Sequence, residues 1–391
     1  LDDAEARSIA LDLARKSVVL LRNEDALPLP VGAKLAVIGP RAGDASAMMG
    51  CYSFPLHVGR HHPDLPMGVR VPTVLDALRD DPAGYQVTHA PGVPVLGGTD
   101  EDIAAAARVA ADADMCVLAL GDLAGLFGNG TSGEGCDATD LRLPGRQEEL
   151  LEAVLATGTP VVLVLLVGRP YELSRQVDRL AAAVCGFYPG EEGATALADV
   201  LSGRVNPSGR LPVSFPAAAA SHPTSYLASA LGQRNEVSNV DPTPVVPFGH
   251  GLSYAPATWV DVAATGGDWP TDGACRVSVR LHNDAAIPTT EVVQVYLHDV
   301  VAEVARPVRQ LIAAARVELA PGRTATVTFG LHADLTSYTG RAGHRQVDAG
   351  DVELHVGASS ADIRAVLPVR MTGPCRRVGF DRVATPEIEI G

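Results

Sequence analysis

The sequence has no long apolar run and very little lysine. Its longest apolar stretch, Val161 to Val167, is as long as a strand, whereas a membrane-spanning helix needs about 20 such residues. Lysine occurs only at Lys16 and Lys34, and no basic cluster exists in a chain of formal net charge −15. We therefore expect no membrane span and no nucleic-acid partner, because nucleic-acid binding requires basic groups that neutralise phosphates.

Paired cysteine motifs are also missing. The six cysteines are scattered, and no two have the C-x-x-C spacing of a redox or zinc motif. A chain of 391 residues can bury a large core without disulfides. We interpret the cysteines as free and mostly buried thiols, which favours a cytoplasmic location. Their positions are Cys51, Cys116, Cys136, Cys185, Cys275 and Cys375.

The first 250 residues alternate between helical and strand patterns. Helices are predicted over residues 3–21, 102–111, 145–156 and 190–201, and strands over residues 35–38, 115–120, 161–167 and 181–187. Strands that alternate with helices predict a mostly parallel sheet flanked by helices, here an α/β sandwich over residues 1–250. Such sheets bind ligands at the loops that leave the carboxyl ends of their strands.

The pattern changes after a long connection rich in Ala, Pro and Ser. Apolar and polar residues then alternate over residues 276–281, 291–297, 323–329 and 351–356, with turn signals between these segments. This spacing predicts an all-β sandwich of the immunoglobulin or fibronectin type over residues 251–373. Residues 374–391 are interpreted as an irregular C-terminal tail.

One long loop, residues 121–147, is the main candidate for chemistry. It leaves a predicted buried strand at its carboxyl end, and loops of this length in compact domains are usually functional. Five glycines lie between Gly125 and Gly135, so the backbone can approach a ligand or move as a lid. Glu134 lies among these glycines and is the candidate catalytic residue.

Three other sequence motifs give weaker indications of a function. The stretch Gly128–Gly133 has the G-x-G-x-x-G spacing, but it begins well after the strand and ends well before the next helix, unlike a dinucleotide site. Ser132 lacks a nucleophile elbow, because Glu134 stands where that elbow needs glycine. His61 and His62 are adjacent and have no matching metal-ligand spacing, so no metal site is predicted.

A carboxyl group on such a loop fits glycoside hydrolysis, which needs one carboxylic acid to donate a proton and a second carboxylate opposite it. Glu134 can close over a sugar and be desolvated, which keeps an acid protonated near neutral pH. Asp137, three residues later, can hold the loop, raise the pKa of the acid or contact substrate. From the residues alone, a solvated loop acid describes Glu134 equally well.

Segments along nearly the whole chain resemble glycoside hydrolase family 3. The stretch from Glu134 to Gln147 is similar to the family's acid/base pattern E-G-x-D-R-x-x-L-x-L-P-G-x-Q, with Ala138 where the pattern has Arg. The resemblance implies that Glu134 is the general acid/base and that no metal or organic cofactor is required. The other similar segments are residues 6–28, 187–216, 247–254, 306–322 and 356–364.

The resemblance also implies residues that bind substrate and a domain that this sequence does not contain. The segment Met49–Phe54 falls where the family lines its aglycone side, so Cys51 and Tyr52 are implied as substrate-binding residues. A packed loop aromatic is an equally good interpretation of Tyr52. Family members carry the nucleophilic Asp on an N-terminal (β/α)8 barrel. Because the chain starts at Leu1, without Met or a signal peptide, we expect this barrel to come from the same precursor or another chain, and secretion is compatible with such a start.

The predicted function is therefore part of a retaining, exo-acting β-glycosidase. Its expected substrates are glycosides and oligosaccharides with terminal, non-reducing β-linked glucose or xylose. The alternative is a non-catalytic carbohydrate-binding or scaffold chain that has lost the barrel. A third interpretation is a phosphorylase of the same family, which would form a phosphate-dependent product.

Overall fold

The structure consists of two compact units. A computed structural model describes residues 2–62, 64–218, 225–265 and 267–391. The first unit lies within residues 1–210 and 215–221, and the second within residues 211–214 and 222–391. In these described ranges, no helix is both long and apolar enough to cross a membrane. The domain boundaries at residues 250 and 373 stay predictions.

The first unit is built on a six-stranded sheet of order β1-β6-β5-β4-β2-β3, in which only β1 runs antiparallel to its neighbour. Its strands are β1 Val19–Asn23, β2 Lys34–Ile38, β3 Gln86–Ala90, β4 Met115–Gly121, β5 Val161–Leu166 and β6 Ala182–Cys185. Its helices are α1 Ala4–Ser17, α2 Phe54–His57, α3 Val74–Arg79, α4 Asp100–Ala111, α5 Gln147–Leu155 and α6 Gly193–Leu201. The predicted mostly parallel α/β fold class is confirmed.

Burial explains which of these strands the sequence pattern predicts. Every residue of β4 and β5 is buried, as expected for central parallel strands with both faces covered. The edge strand β3 is largely polar and only partly buried, so its sequence carries no apolar run that would have predicted it.

The helix predicted over residues 3–21 is too long. Helix α1 begins after Asp3, whose side chain accepts a hydrogen bond from the Ala6 amide at 2.8 Å, and it ends at Ser17. The following residues form β1, because β-branched and apolar side chains gain more from burial beside β6 than from another helical turn. Ile9 and Leu13, two apolar residues at helical spacing, are 56% and 63% exposed.

The second unit is an all-β sandwich with one core. A five-stranded sheet has the order β11-β10-β15-β16-β8, a four-stranded sheet has the order β18-β12-β9-β7, and β13, β14 and β17 form a small third sheet. Buried side chains from both large sheets, among them Trp269, Val293 and Phe329, share the core. The strands are β7 Thr258–Thr265, β8 Asp268–Pro270, β9 Ala274–His282, β10 Thr289–Asp299, β11 Gln310–Leu319, β12 Thr324–His332, β13 Tyr338–Thr339, β14 Arg345–Val347, β15 Gly350–Gly357, β16 Ile363–Thr372, β17 Arg376–Arg377 and β18 Glu387–Ile390.

The four strands predicted by alternation correspond to β9, β10, β12 and β15, which confirms the sandwich class. In this unit, three strands of eight or more residues were missed, namely β7, β11 and β16, and the last two were missed for local reasons. Strand β11 contains the run Ala313–Ala315, which is more typical of a helix, and β16 contains Pro368, which is rare inside strands. In both cases, pairing with neighbouring strands overrides the local preference.

The prediction of an irregular tail from Pro374 is wrong at two places. Arg376–Arg377 pairs with β14, and Glu387–Ile390 pairs with β12. Every residue of this last strand is exposed, although its short sequence, Glu387–Ile390, alternates polar and apolar residues. Backbone hydrogen bonds to the edge of the four-stranded sheet order this segment.

Candidate active site

The loops after β2 and β4 meet at one edge of the first unit. These strands are parallel neighbours, so the segments that follow their carboxyl ends leave the sheet side by side. The segment after β2 carries Cys51 and Tyr52, and the segment after β4 carries Glu134. The Tyr52 hydroxyl donates a hydrogen bond to Glu134 Oε2, although the two residues lie 82 positions apart in the chain.

This hydrogen bond has an electrostatic consequence for Tyr52. Both side chains are exposed, Tyr52 by 66%. Loss of the phenolic proton would remove the hydrogen bond and place two negative charges together, so Glu134 raises the pKa of Tyr52 above its usual value. The phenol therefore stays protonated near neutral pH and acts as a donor to the carboxylate.

Cys51 lies directly beside Gly133, the residue that precedes the candidate acid. A Cβ atom added to Gly133 would collide with the Gly125 carbonyl oxygen and lie 3.0 Å from Cys51 Sγ. Gly133 also has a φ of +130°, which side chains rarely adopt. Glycine next to Glu134 therefore lets the Cys51 segment approach the loop closely.

The glycine-rich loop folds back on itself. The Thr131 amide donates to the Leu123 carbonyl at 2.8 Å, and the Gly125 amide donates to the Ser132 carbonyl at 2.9 Å. A Cβ atom on Gly130 would lie 2.6 Å from Gly125 Cα, so the two backbone segments touch. Contact between two backbone segments therefore explains these glycines, whereas approach to a ligand and movement as a lid stay predictions.

The buried carboxylate of Asp122 holds the start of the loop by hydrogen bonds. Asp122 follows β4 directly, is fully buried, and accepts hydrogen bonds from Thr131 Oγ1 at 2.7 Å and the Gly168 amide at 2.8 Å. It also accepts a hydrogen bond from the Tyr171 hydroxyl. Burial and the Asp122 charge raise the pKa of Tyr171, so this phenol remains a donor. Three donors thus satisfy one buried carboxylate under the acid loop.

Arg169 holds the loop on both sides of Glu134. Its guanidinium group donates to the carbonyl oxygens of Thr131 and Cys136. Since Ala138 replaces the Arg of the family pattern, Arg169 supplies a cation that ties this loop. Only its place just after a buried strand could have indicated this role, because the contacts span more than 30 positions.

Gln147, the last residue of the acid/base pattern, closes the base of the loop. Its side-chain amide accepts from the Gly121 amide at 2.8 Å and donates to the Gly121 carbonyl at 2.9 Å. It also donates to the Pro144 carbonyl at 3.0 Å. The fully buried side chain therefore joins the end of β4 to the start of α5.

Asp137 lies at a cavity on the same loop. It is exposed and lines a cavity of about 870 Å³ whose lining includes neither Glu134, Cys51 nor Tyr52. Within the described ranges, no hydrogen bond joins Asp137 to the loop, so Asp122 and Arg169 hold the loop instead.

The cysteines and the other candidate metal ligands do not form a metal-binding cluster in the described residues. Within the described residues, no group of three or more His, Cys, Asp or Glu side chains could hold a metal ion. All six cysteines are free and four of them are buried, as predicted. Burial raises the pKa of the Cys116 and Cys185 thiols to about 12.

Comparison with known proteins decides the family. Residues 18–254 match the glycosyl hydrolase family 3 C-terminal domain, and residues 291–360 match the fibronectin type III-like domain. The chain belongs to glycosyl hydrolase family 3. This membership confirms the resemblance inferred from the sequence.

Relatives of this family 3 chain extend well beyond it. A β-xylosidase of Formosa agariphila is 34% identical over 363 residues, which cover 91% of this chain and 49% of that protein. A periplasmic β-glucosidase of Salmonella typhimurium is 30% identical over 381 residues, covering 92% of this chain and 49% of that protein. The chain thus spans about half the length of these curated relatives.

Comparison with solved structures supports the same fold. The crystal structure of a β-glucosidase from Listeria innocua in complex with isofagomine matches this family 3 chain with a TM-score of 0.83 and 28% sequence identity. The match covers 96% of this chain and 51% of that structure.

Proposed function

We propose that this chain supplies the general acid/base of a retaining, exo-acting β-glycosidase. The observation that carries the proposal is the exposed Glu134 carboxyl at the carboxyl-end edge of the sheet, on a loop held by Asp122, Arg169 and Gln147. A proton donor must be oriented toward the oxygen that it protonates, and hydrogen bonds to the loop backbone restrict that orientation. The names of the relatives, β-xylosidase and β-glucosidase, support terminal β-linked xylose or glucose as the substrate.

The proposed mechanism needs a second carboxylate, from an Asp on an N-terminal (β/α)8 barrel in the rest of the protein. That Asp attacks the anomeric carbon while Glu134 protonates the departing oxygen. Water, deprotonated by Glu134, then hydrolyses the glycosyl-enzyme. In retaining enzymes, the two carboxyl groups lie about 5–5.5 Å apart. Proton transfer and carboxylate attack need neither a metal nor an organic cofactor.

The first test is hydrolysis by the full-length protein. We expect it to release nitrophenol from nitrophenyl β-glucoside or β-xyloside and to form the β-anomer of the free sugar first, as NMR would record. The inverted anomer would contradict a retaining mechanism. A purified species near 40.6 kDa, without a companion chain and without hydrolysis, would favour the non-catalytic alternative. A phosphate-dependent sugar phosphate would identify a phosphorylase.

Tyr52, Cys51 and Asp137 are proposed to contact substrate, and two variants of Tyr52 separate its hydroxyl from its ring. Tyr52→Phe keeps the ring and loses the hydrogen bond to Glu134. We expect kcat for an alkyl glycoside to fall about tenfold with KM nearly unchanged, because a hydrogen bond to a charged group is stronger than one between neutral groups but is weakened by solvent exposure.

Tyr52→Leu is the matched variant, because it also removes the ring. We expect it to raise KM in addition to lowering kcat. Full activity in Tyr52→Phe, together with a raised KM in Tyr52→Leu, would assign Tyr52 to sugar stacking alone.

A further inference from the structure

Phe127 adopts a backbone conformation that its side chain disfavours. Its φ is +54°, in the left-handed region where a bulky side chain is an outlier. Its side chain is 73% exposed, so packing in the core of this unit does not explain why Phe occupies the position. Strained residues of this kind persist where the surrounding structure forces them, and they cluster at ligand-binding sites.

The surrounding structure that forces this conformation is the acid loop. The Phe127 amide donates a hydrogen bond to the Glu134 carbonyl at 2.8 Å. A Cβ atom on Gly135 would lie only 3.4 Å from Phe127 Cα, so the two backbones are in contact. The neighbouring Leu126 is buried and fixes this side of the loop. Phe127 is thereby held next to Glu134.

Other exposed apolar side chains belong to the segment that meets Glu134. Tyr52, whose hydroxyl contacts the acid, is 66% exposed, and Phe54 is 73% exposed. Exposed aromatic side chains concentrated near one polar group are typical of a ligand-binding surface. During hydrolysis, the alcohol that receives the proton of Glu134 departs from the anomeric carbon. Phe127 lies on the same loop as Glu134, and the backbones of the two residues are hydrogen-bonded, so an exposed ring at position 127 is within the region that this alcohol meets.

We propose that Phe127 is a specificity-determining residue that favours glycosides whose departing alcohol has a flat apolar face. This inference rests on the proposed function. An aromatic ring offers such an alcohol a stacking surface, which is worth up to about a tenfold preference over an alcohol that is too small to stack.

The test uses Phe127→Asn in the full-length protein, because Asn tolerates the left-handed region and the fold should not suffer. The substrates are the benzyl and methyl β-glycosides of whichever sugar the unsubstituted protein hydrolyses. Their alcohols have similar acidity and differ in size. We expect the ratio of kcat/KM, benzyl over methyl, to fall about tenfold, with the methyl value and the melting temperature preserved.

Two further variants complete the design. Phe127→Tyr keeps the ring and should keep the ratio. Phe380→Asn removes an even more exposed Phe from the second unit and should leave the ratio unchanged.

The outcomes are distinguishable. An unchanged ratio in Phe127→Asn overturns the inference and leaves the proposed function standing. Equal loss on both substrates with a lower melting temperature also overturns it, since the ring would then be packing inside the complete protein. If the unsubstituted protein hydrolyses neither a β-glucoside nor a β-xyloside, the proposed function fails and the inference fails with it.

Discussion

Replacing Glu134 with Gln is expected to reduce kcat/KM of the full-length protein about 1,000-fold for alkyl glycosides, within the range of general acid catalysis. The loss should be far smaller for nitrophenyl glycosides, because nitrophenolate departs without a proton. Gln keeps the size and hydrogen bonding of the side chain but cannot donate this proton. Steady-state kinetics across leaving groups of graded acidity would measure the difference.

Two further variants control this experiment. Glu134→Ala leaves room for a small anion, so azide should restore turnover of nitrophenyl glycosides and yield a β-glycosyl azide. Asp140→Asn changes another carboxylate of the same loop, one that pairs with Arg142, and should leave the leaving-group dependence unaltered. An equal loss on both substrate classes in Glu134→Gln would remove Glu134 from the acid role.

Replacing Asp122 with Ala is expected to destabilise the first unit by about 3 kcal/mol, because it leaves several buried donors without an acceptor. These donors are the Tyr171 hydroxyl, the Gly168 amide and Thr131 Oγ1. For a unit of this size, the melting temperature should fall by about 6–12 °C. Thr131→Val, which removes only one of the three donors, should cost about 1 kcal/mol.

The chain offers an internal control for this measurement. In the described residues, all six α-helices lie in the first unit, so in residues 1–391 produced without the proposed barrel the helical circular-dichroism signal reports on that unit. Both tryptophans, Trp259 and Trp269, lie in the second unit, so tryptophan fluorescence reports on the sandwich. We expect Asp122→Ala to lower the midpoint of the helical circular-dichroism transition and to leave the midpoint of the tryptophan-fluorescence transition unchanged. An unchanged helical transition would show that the buried hydrogen bonds add little stability.

Glu134→Gln and Asp122→Ala change an exposed and a buried carboxyl group of the same loop. Glu134 is exposed and has the Tyr52 hydroxyl as its partner, whereas Asp122 is buried and has three donors. An exposed carboxyl group can exchange its hydrogen-bond donor for a substrate group. A buried carboxylate keeps its donors, because leaving it without them costs free energy of folding. The loop therefore combines a reactive group with a rigid support.

Parts of this protein follow from sequence patterns because their causes are local. Continuous apolar runs predict β4 and β5, since a strand covered on both faces needs apolar side chains at every position. Alternation of apolar and polar residues predicts β9 and β10, because a sheet with one buried face needs apolar side chains only at every second position. Glu134 is identified by a contiguous motif, which needs no knowledge of the fold.

Other parts depend on contacts between distant positions, which no local pattern encodes. Arg169 reaches the loop only because β4 and β5 are neighbours in the sheet, and Tyr52 reaches Glu134 only because β2 and β4 are. Asp137 shows the converse: it is three residues from Glu134, yet it lines a cavity that Glu134 does not.

Chain order and side-chain type thus determine the fold class, the strands with regular burial and the identity of the candidate acid, because each depends on neighbours along the chain. Tertiary contacts decide the rest. The strained position of Phe127 comes from contacts within the acid loop itself. Strand order brings Tyr52 to the acid, and it brings Arg169 and the Asp122 partners that follow β5 to the loop, because these contacts form only when separate strand ends meet at one edge.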